Sequence, residues 1–226
     1  VYENYTPDDH FTSVKEEVEA ALATAPNGSF LGSPYIRMPW PSYRLCIYNW
    51  FRDAEEGPGK WLRKTFGKAP VLLSSVNPSL HAQVTRELLR SRGYFGNYVN
   101  YEVFSNDSTK KAKVKYTVNL GPLTTIDTLT YHNFPPAAMQ LIDSTRTAAK
   151  VKSGDPFDAS TLDAERTRVS TLLRNNGFFY YQPSYATYLA DTLAKTDQAQ
   201  VRLQYADSLP SQVGKQWYIG HINLEM

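Results

Sequence analysis

Few side chains in this 226-residue chain stand at spacings that do chemistry. His10, His81, His132 and His221 are isolated from one another, with neither a His-x3-His pair nor a carboxylate at metal-ligand spacing. Solvated or locally hydrogen-bonded imidazoles account for them, so neither a metal nor another cofactor is implied. Gly57-Pro58-Gly59-Lys60 lacks the spacing and the Lys-Ser/Thr pair of a phosphate loop, and reads as a turn that breaks a helix. Asp8-Asp9 and Glu16-Glu17 are adjacent pairs whose side chains diverge; solvated charges near a helix start explain them better than acid–base work. There is no serine nucleophile elbow. The single Cys46 excludes an intrachain disulfide and a cysteine-based zinc site. The expectation is a protein that is not an enzyme, with no catalytic residue to nominate.

Two arrangements suit binding. Lys111, Lys113 and Lys115, with neighbouring Lys110, alternate along a strand; they form a solvated face or attract an anionic lipid surface or partner. Tyr180-Tyr181-Gln182-Pro183-Ser184-Tyr185 supplies core tyrosines, or else an edge for peptide pairing or a surface for sugar stacking. Composition narrows the classes further. Lys+Arg number 24 against 22 Asp+Glu, and a net charge of +2 argues against a dedicated nucleic-acid binder. A hydrophobic content of 42% with 20% charged residues describes a globular chain. No apolar run approaches the length of a membrane-spanning helix, and no signal-peptide pattern opens the chain. Aromatics reach 13%, including 16 Tyr, which leans towards sheet.

The elements repeat. Leu88-Leu89-Arg90-x-x-Gly93-Tyr94-Phe95 returns as Leu172-Leu173-Arg174-x-x-Gly177-Phe178-Phe179, an offset that also carries Tyr101 onto Tyr185. Each block closes an amphipathic helix, stopped by a glycine suited to left-handed backbone. The second helix puts Leu162, Val169, Leu172 and Leu173 on one face, with Asp158 or Ser160 as cap; the first has Asn77 before Pro78, then Val84, Leu88 and Leu89. A hairpin follows each. Val99, Tyr101 and Val103 run out, 105–108 turn, and Ala112, Val114, Tyr116 and Val118 return, a register that sets Tyr101 opposite Val114 and Glu102 opposite Lys113. In the second copy Tyr185, Thr187 and Leu189 run out, 192–197 turn, and Val201, Leu203 and Tyr205 return. Pro183 marks the outgoing strand as a sheet edge.

A strand over 125–131 and a short helix over 136–144 precede the second copy. The unit therefore reads strand, helix, helix, strand, strand, in which the first strand reaches its sheet by a right-handed crossover through two helices. The predicted class is α+β: tandem units, each with a small mixed three-stranded sheet and two helices on one face. The predicted division is 1–120, with an insertion at about 27–70, then 121–210, then 211–226 as the first strand of a following unit. A helix over 12–24 (Val14, Val18, Ala21, Leu22) opens the first unit. Its insertion holds Trp40, Trp50 and Trp61, a helix over 43–54, and a basic patch of Lys60, Arg63, Lys64 and Lys68. The alternating stretch 217–224 has nothing after it to pair with, which suggests a fragment of a longer protein.

Gly154-Asp155-Pro156-Phe157, Leu162-Asp163-Ala164-Glu165-Arg166, Leu172-Leu173-Arg174-Asn175-Asn176-Gly177-Phe178-Phe179 and Tyr188-Leu189-Ala190-Asp191-Thr192 together resemble a POTRA domain. These are the periplasmic modules of the BamA/TamA superfamily of outer-membrane assembly factors. The first copy keeps Gly93-Tyr94-Phe95 but lacks Gly-x-Pro-Phe; it resembles the elaborated first POTRA of TamA-like members through Pro26-Asn27, Phe30-Leu31-Gly32, Tyr48-Asn49 and Pro70-Val71. The resemblance implies a non-catalytic scaffold on the periplasmic side of the outer membrane in Gram-negative bacteria. It implies that the fragment is monomeric and tethered by a barrel lying outside it, and that it binds unfolded outer-membrane proteins, accessory periplasmic proteins or lipoproteins by strand addition. The edge residues that carry over are Asn97, Tyr98, Val99, Asn100, Tyr101 and Glu102 in the first unit, and Tyr180, Tyr181, Tyr185 and Thr187 in the second. Trp40, Trp50 and Trp61 are candidate partner anchors. The alternative is a carbohydrate- or cell-wall-binding module on the Tyr/Trp surface, which requires coplanar exposed rings.

Overall fold

Apolar residues alternate along each hairpin, and in the second unit this turns one sheet face into a core that two helices cover. The computed structural model describes residues 1–3, 9–27, 29, 36, 43–106, 108 and 111–221, residue 194 by its backbone only. The chain forms two units: Val1–Leu88 with Tyr98–Asn119, and Leu89–Asn97 with Leu120–Met226. The fold is α+β, with a mixed three-stranded sheet in each.

In the first unit β1 (Tyr2–Glu3) lies parallel to β3 (Lys111–Asn119), and β2 (Tyr98–Asn106) lies antiparallel to β3 on its other side. Helix α1 (Asp9–Leu22) buries Phe11, Val14 and Val18, each contributing roughly 1.5–3 kcal/mol of burial. Phe11 replaces the expected Ala21 and Leu22 in that stripe. Helix α5 (Pro78–Ser91) buries Ala82, Thr85 and Leu89. The expected Val84 is exposed, because the buried stripe is carried at two of its positions by residues too small or too polar to be read as apolar. His81 closes the end of α1, its Nδ1–H donating to the Ala21 carbonyl at 2.6 Å. Asn77 precedes Pro78 in left-handed backbone (φ 45°).

The insertion holds α2 (Tyr43–Trp50) and α3 (Gly57–Phe66), followed by the single turn α4 (Leu73–Val76). Gly57-Pro58-Gly59 starts α3 and is not a separate turn. Proline's fixed φ and missing N–H fit the first helical turn, where no intrahelical partner exists. Trp40 lies outside the described residues, as do Lys110, Asp8 and residues 222–226.

In the second unit β4 (Thr125–His132) pairs parallel with β6 (Gln198–Tyr205), and β5 (Ala186–Lys195) pairs antiparallel with β6 on the far side. Helix α6 (Pro136–Ser144) buries Ala138 and Ile142, and α7 (Ala159–Asn175) buries Leu162, Val169 and Leu173. Asp158 caps α7, accepting from the Ser160 N–H at 2.7 Å, and Gly177 ends it at φ 93°. Ala199, Val201 and Leu203 supply the sheet's share of the core.

Three strand expectations need correction. Tyr101 stands opposite Tyr116 and Glu102 opposite Lys115; the strands extend to the pair Asn106–Lys111, which slips the register by two and leaves the faces unchanged. On β5 the inward residues are Ala186 and Tyr188, while Thr187 and Leu189 face out, because Tyr185 sits in a 3-10 turn (Pro183–Tyr185) ahead of the strand. The hairpin closes at Thr196-Asp197, past an irregularity between Asp191 and Lys195. Residues 217–221 are irregular and pair with no strand among the described residues; Trp217 donates its N–H to the Gly177 carbonyl at 2.7 Å.

One polar side chain sits inside the second core. Glu165 on α7 has no exposure. It accepts from Tyr131 Oη at 2.7 Å, from the Lys150 N–H at 2.7 Å, and from Arg168 at 2.7 and 2.9 Å. Arg168 also donates to Thr145 Oγ1 at 3.2 Å. Burial alone would raise the carboxyl's pKa, but the hydrogen bonds from Arg168, Lys150 and Tyr131 hold it below its ordinary 4.5. Burial, then the neighbouring carboxylate, raise the Tyr131 hydroxyl. A depressed carboxyl contributes stability that is complete above about pH 4.5 and lost as pH falls through the folded-state value. Glu165→Gln should destabilise the second unit by about 3 kcal/mol and flatten its acid-unfolding profile, as read by circular dichroism melts between neutral pH and pH 3.

Candidate functional site

Among the described residues β2 and β5 lie at the outside of their sheets. In both sheets the middle position belongs to the last strand, so β2 and β5 each bond one neighbour among the described residues. Which backbone groups are directed away follows from alternation. Val1 donates to the Tyr116 carbonyl at 2.9 Å and accepts from the Val118 N–H at 2.8 Å. The even residues of β3 therefore address β1, and its odd residues address β2. Asn100, Glu102, Phe104 and Asn106 are the β2 residues bonded to them, through Thr117, Lys115, Lys113 and Lys111. Val99, Tyr101, Val103 and Ser105 direct N–H and C=O away from the sheet. The Val99 carbonyl accepts from Arg86 at 3.3 Å, as an outward group can.

On β5 the Ala206 N–H donates to the Tyr185 carbonyl at 3.0 Å, and Thr130 Oγ1 reaches the Val201 carbonyl from the other side. Odd β5 residues thus address β6, and Ala186, Tyr188 and Ala190 face outward. Thr187 and Tyr185, both expected at the edge, commit their backbone to β6. Tyr181 is core, at 1% exposure, stacked on Tyr205 at 6.2 Å. Tyr180 is partly exposed and lies before the strand. Val103, Ala186 and Tyr188 lie within the expected edge stretches 97–104 and 180–189, and Ser105 and Ala190 lie just beyond them; which residues face outward was a matter of register, which composition does not carry.

Side chains distinguish the two edges. Beyond Val99, β2 is exposed on both faces through Asn106. Tyr98 stacks under Arg86, 5.9 Å from guanidinium carbon to ring centre. Asn97 donates to the Tyr94 carbonyl at 2.6 Å in the preceding loop, so its side chain shapes the approach to the strand. Tyr101 and Tyr116 are direct cross-strand partners, and burial followed by Tyr101 raises the Tyr116 hydroxyl. Lys111, Lys113 and Lys115 are exposed on the central strand β3, on the face shared with Glu102 and Phe104. Lys115 reaches Glu102 at 3.7 Å; at such exposure the pair adds little.

In the second unit the Gly93 and Gly177 loops are used differently. Gly93 accepts from the Thr124 N–H at 3.0 Å, Phe95 meets Phe157 edge-on at 5.0 Å, and Arg92 clasps Asp158 at 2.8 Å. Phe179, the counterpart of Phe95, is 66% exposed and meets Tyr180 at 5.2 Å. Arg174, Phe179, Tyr180, Tyr181, Gln182 and Pro183 line part of a surface cleft of about 420 Å³. Trp50 and Trp61 in the insertion are exposed. Among the described residues there is no His/Cys/Asp/Glu cluster able to hold a metal, and no helix long and apolar enough to cross a membrane. Glu165, with four donors and no exposure, is placed for packing and has no access to a substrate.

No protein-family model matches this sequence, and no curated protein does. Among solved structures it is similar to POTRA domains 3–5 of BamA from Haemophilus influenzae, at 16% identity and a TM-score of 0.40, over 58% of this chain and 50% of that one. It is similar to Haemophilus ducreyi BamA lacking POTRA domains 1–3, at 15% identity and 0.38, over 70% and 26%. A third neighbour is the N-terminal domain of Omp85 from Thermosynechococcus elongatus, at 12% and 0.27, over 67% and 58%. The chain thus matches half the length of the first of these. The pairing of one parallel and one antiparallel strand around a central last strand occurs in both sheets, and the second unit runs strand, helix, helix, strand, strand.

The alternation on β2 has a direct readout. Amide hydrogen exchange should be slow at Glu102 and Phe104 and faster at Tyr101 and Val103 by about tenfold or more. Uniform protection along the strand would contradict an outward-facing edge.

Proposed function

We propose that this chain is a binding scaffold on the periplasmic side of the outer membrane, one that takes up extended segments by strand addition to β2. The observation that carries this reading is the row Tyr101, Val103 and Ser105, whose backbone groups turn outward beyond buried Val99, where the strand is exposed on both faces. Such a row offers hydrogen bonds that any extended sequence can accept, while Tyr98, Tyr101 and Phe104 add selectivity for apolar or aromatic partners. Unfolded outer-membrane proteins, with alternating aromatic-ended strands, match that chemistry, as do extended segments of accessory periplasmic proteins or lipoproteins. The β5 edge is the lesser site: its outward row is short, with a proline-led turn before it and a strand irregularity after it.

The carbohydrate reading requires coplanar exposed rings, and the exposed ring pairs among the described residues stand edge-on instead. Trp61–Phe66 crosses at 82°, Phe179–Tyr180 at 84° and Tyr180–Trp217 at 82°. Such crossed pairs do not form the flat platform of stacked rings that this reading requires.

Titration with an extended, aromatic-ended peptide of barrel-strand character should move amide signals over 97–104, most strongly at Tyr101 and Val103. Tyr101→Pro removes one outward donor and leaves the β3 ladder bonded, so a folded variant should bind about fivefold to tenfold more weakly. Unchanged affinity in that folded variant, or shifts confined to tryptophan indoles, would overturn strand addition at β2.

A further inference from the structure

The α2–α3 hairpin is held together by part of its side chains and leaves the rest in water. Gly59 admits the Phe51 ring, where a Cβ would come within 2.9 Å. Arg63 donates to the Arg52 carbonyl, Arg44 to the Phe66 carbonyl at 3.4 Å, and the Lys68 N–H to the Arg44 carbonyl at 3.0 Å. Arg44 and Arg63 are thereby committed to closing the hairpin. Lys60 and Lys64 are exposed and form no ion pair among the described residues. They stand one helical turn apart with Trp61 between them in sequence, on the side of α3 away from Gly59, Leu62 and Arg63. Trp61 is 60% exposed, and Trp50 77%, two turns after exposed Tyr43 on α2.

Charge is concentrated here. Residues 43–68 hold six Lys/Arg against three Asp/Glu, a net +3, while the whole chain nets only +2. Asp53, Glu55 and Glu56, the three acids, lie in the connection between the helices; α3 itself has none. Like charges one turn apart repel, and an exposed indole leaves its apolar ring in water while its N–H is content there. A sheet of fixed negative charge over an apolar interior relieves both. It also requires no groove, only exposed cations beside an exposed ring, as Lys60 and Lys64 stand beside Trp61 on α3.

We propose that the α2–α3 hairpin is an interfacial element that binds the surface of an anionic phospholipid bilayer. Lys60 and Lys64 engage headgroup phosphates, and Trp61 and Trp50 seat at headgroup level. The proposal is independent of strand addition, since neither β2 nor β5 takes part, and the two fail separately.

The test is co-sedimentation of the full chain with vesicles of phosphatidylcholine alone and of phosphatidylcholine mixed with phosphatidylglycerol. Binding is expected only with the anionic lipid and should fall as salt is raised. Lys60→Glu with Lys64→Glu should weaken it by about tenfold or more. Lys60→Gln with Lys64→Gln, which removes the charge without reversing it, should give a smaller loss, with folding of both variants checked by circular dichroism. Acyl-brominated lipid should quench wild-type tryptophan emission, and Trp61→Phe should remove a large part of that quenching. Equal binding to both vesicle types, absence of binding, or insensitivity to the charge reversal overturns the proposal. So does binding of an oligo-glutamate peptide with no vesicle binding, which would assign the face to an acidic protein.

Discussion

The second unit is organised around a carboxylate that water cannot reach. An unpaired charge in that position would be prohibitive, so every element near Glu165 must bring it a donor. Tyr131 does so from β4, the Lys150 N–H from the segment after α6, and Arg168 from the next turn of α7. The network therefore fixes three things that apolar packing alone leaves loose: the rotation of α7 about its axis, the depth of β4, and the path of the chain between the helices. Arg168 reaching Thr145 extends the constraint to the end of α6. Apolar neighbours such as Val169 and Leu173 supply cohesion, and the network selects one arrangement of it.

The architecture was legible because it was written twice. Helix stops at Gly93 and Gly177, the capping Asp158, and the alternation of β3 and β6 each follow from a local rule that the fold obeys. What escaped was continuous position along the chain. Two residues separate Phe95 from β2, whereas six separate Phe179 from β5, so an offset valid in the helices fails in the strands. That added length carries the Pro183–Tyr185 turn and moves Tyr185 out of the strand. The buried stripe of α5 escaped for a different reason: Ala82 and Thr85 give little apolar signal, and Val84 gives a misleading one. Glu165 could be seen as part of a motif, but nothing in its type or spacing foretold complete burial.

The two edges differ in what they have available. Along β2 both side-chain faces are open beyond Val99, so an incoming strand would meet rings and charges on either side of its own pleat. On β5 the inward face is taken up by the core, with Tyr188 donating to the Leu162 carbonyl of α7 at 2.8 Å. Lysines at 111, 113 and 115 lie one strand in from the first edge, where they keep the wet face of the sheet charged. Repetition of a fold thus does not repeat its surface.

The segment Leu89–Asn97 belongs to the second unit, although the strands that follow it belong to the first. Its buried Leu89 and Tyr94, and the Gly93 carbonyl bonded to Thr124, are made before any of β2 through β6 leaves the ribosome. The strands of the first unit's sheet are complete at Asn119, whereas the partners of Leu89–Asn97 within its own unit follow from Leu120 onwards. A polypeptide emerging from its amino end therefore carries an apolar clasp with nothing to close on. A chaperone handling this chain as it is synthesised would meet that segment while its partners are still missing.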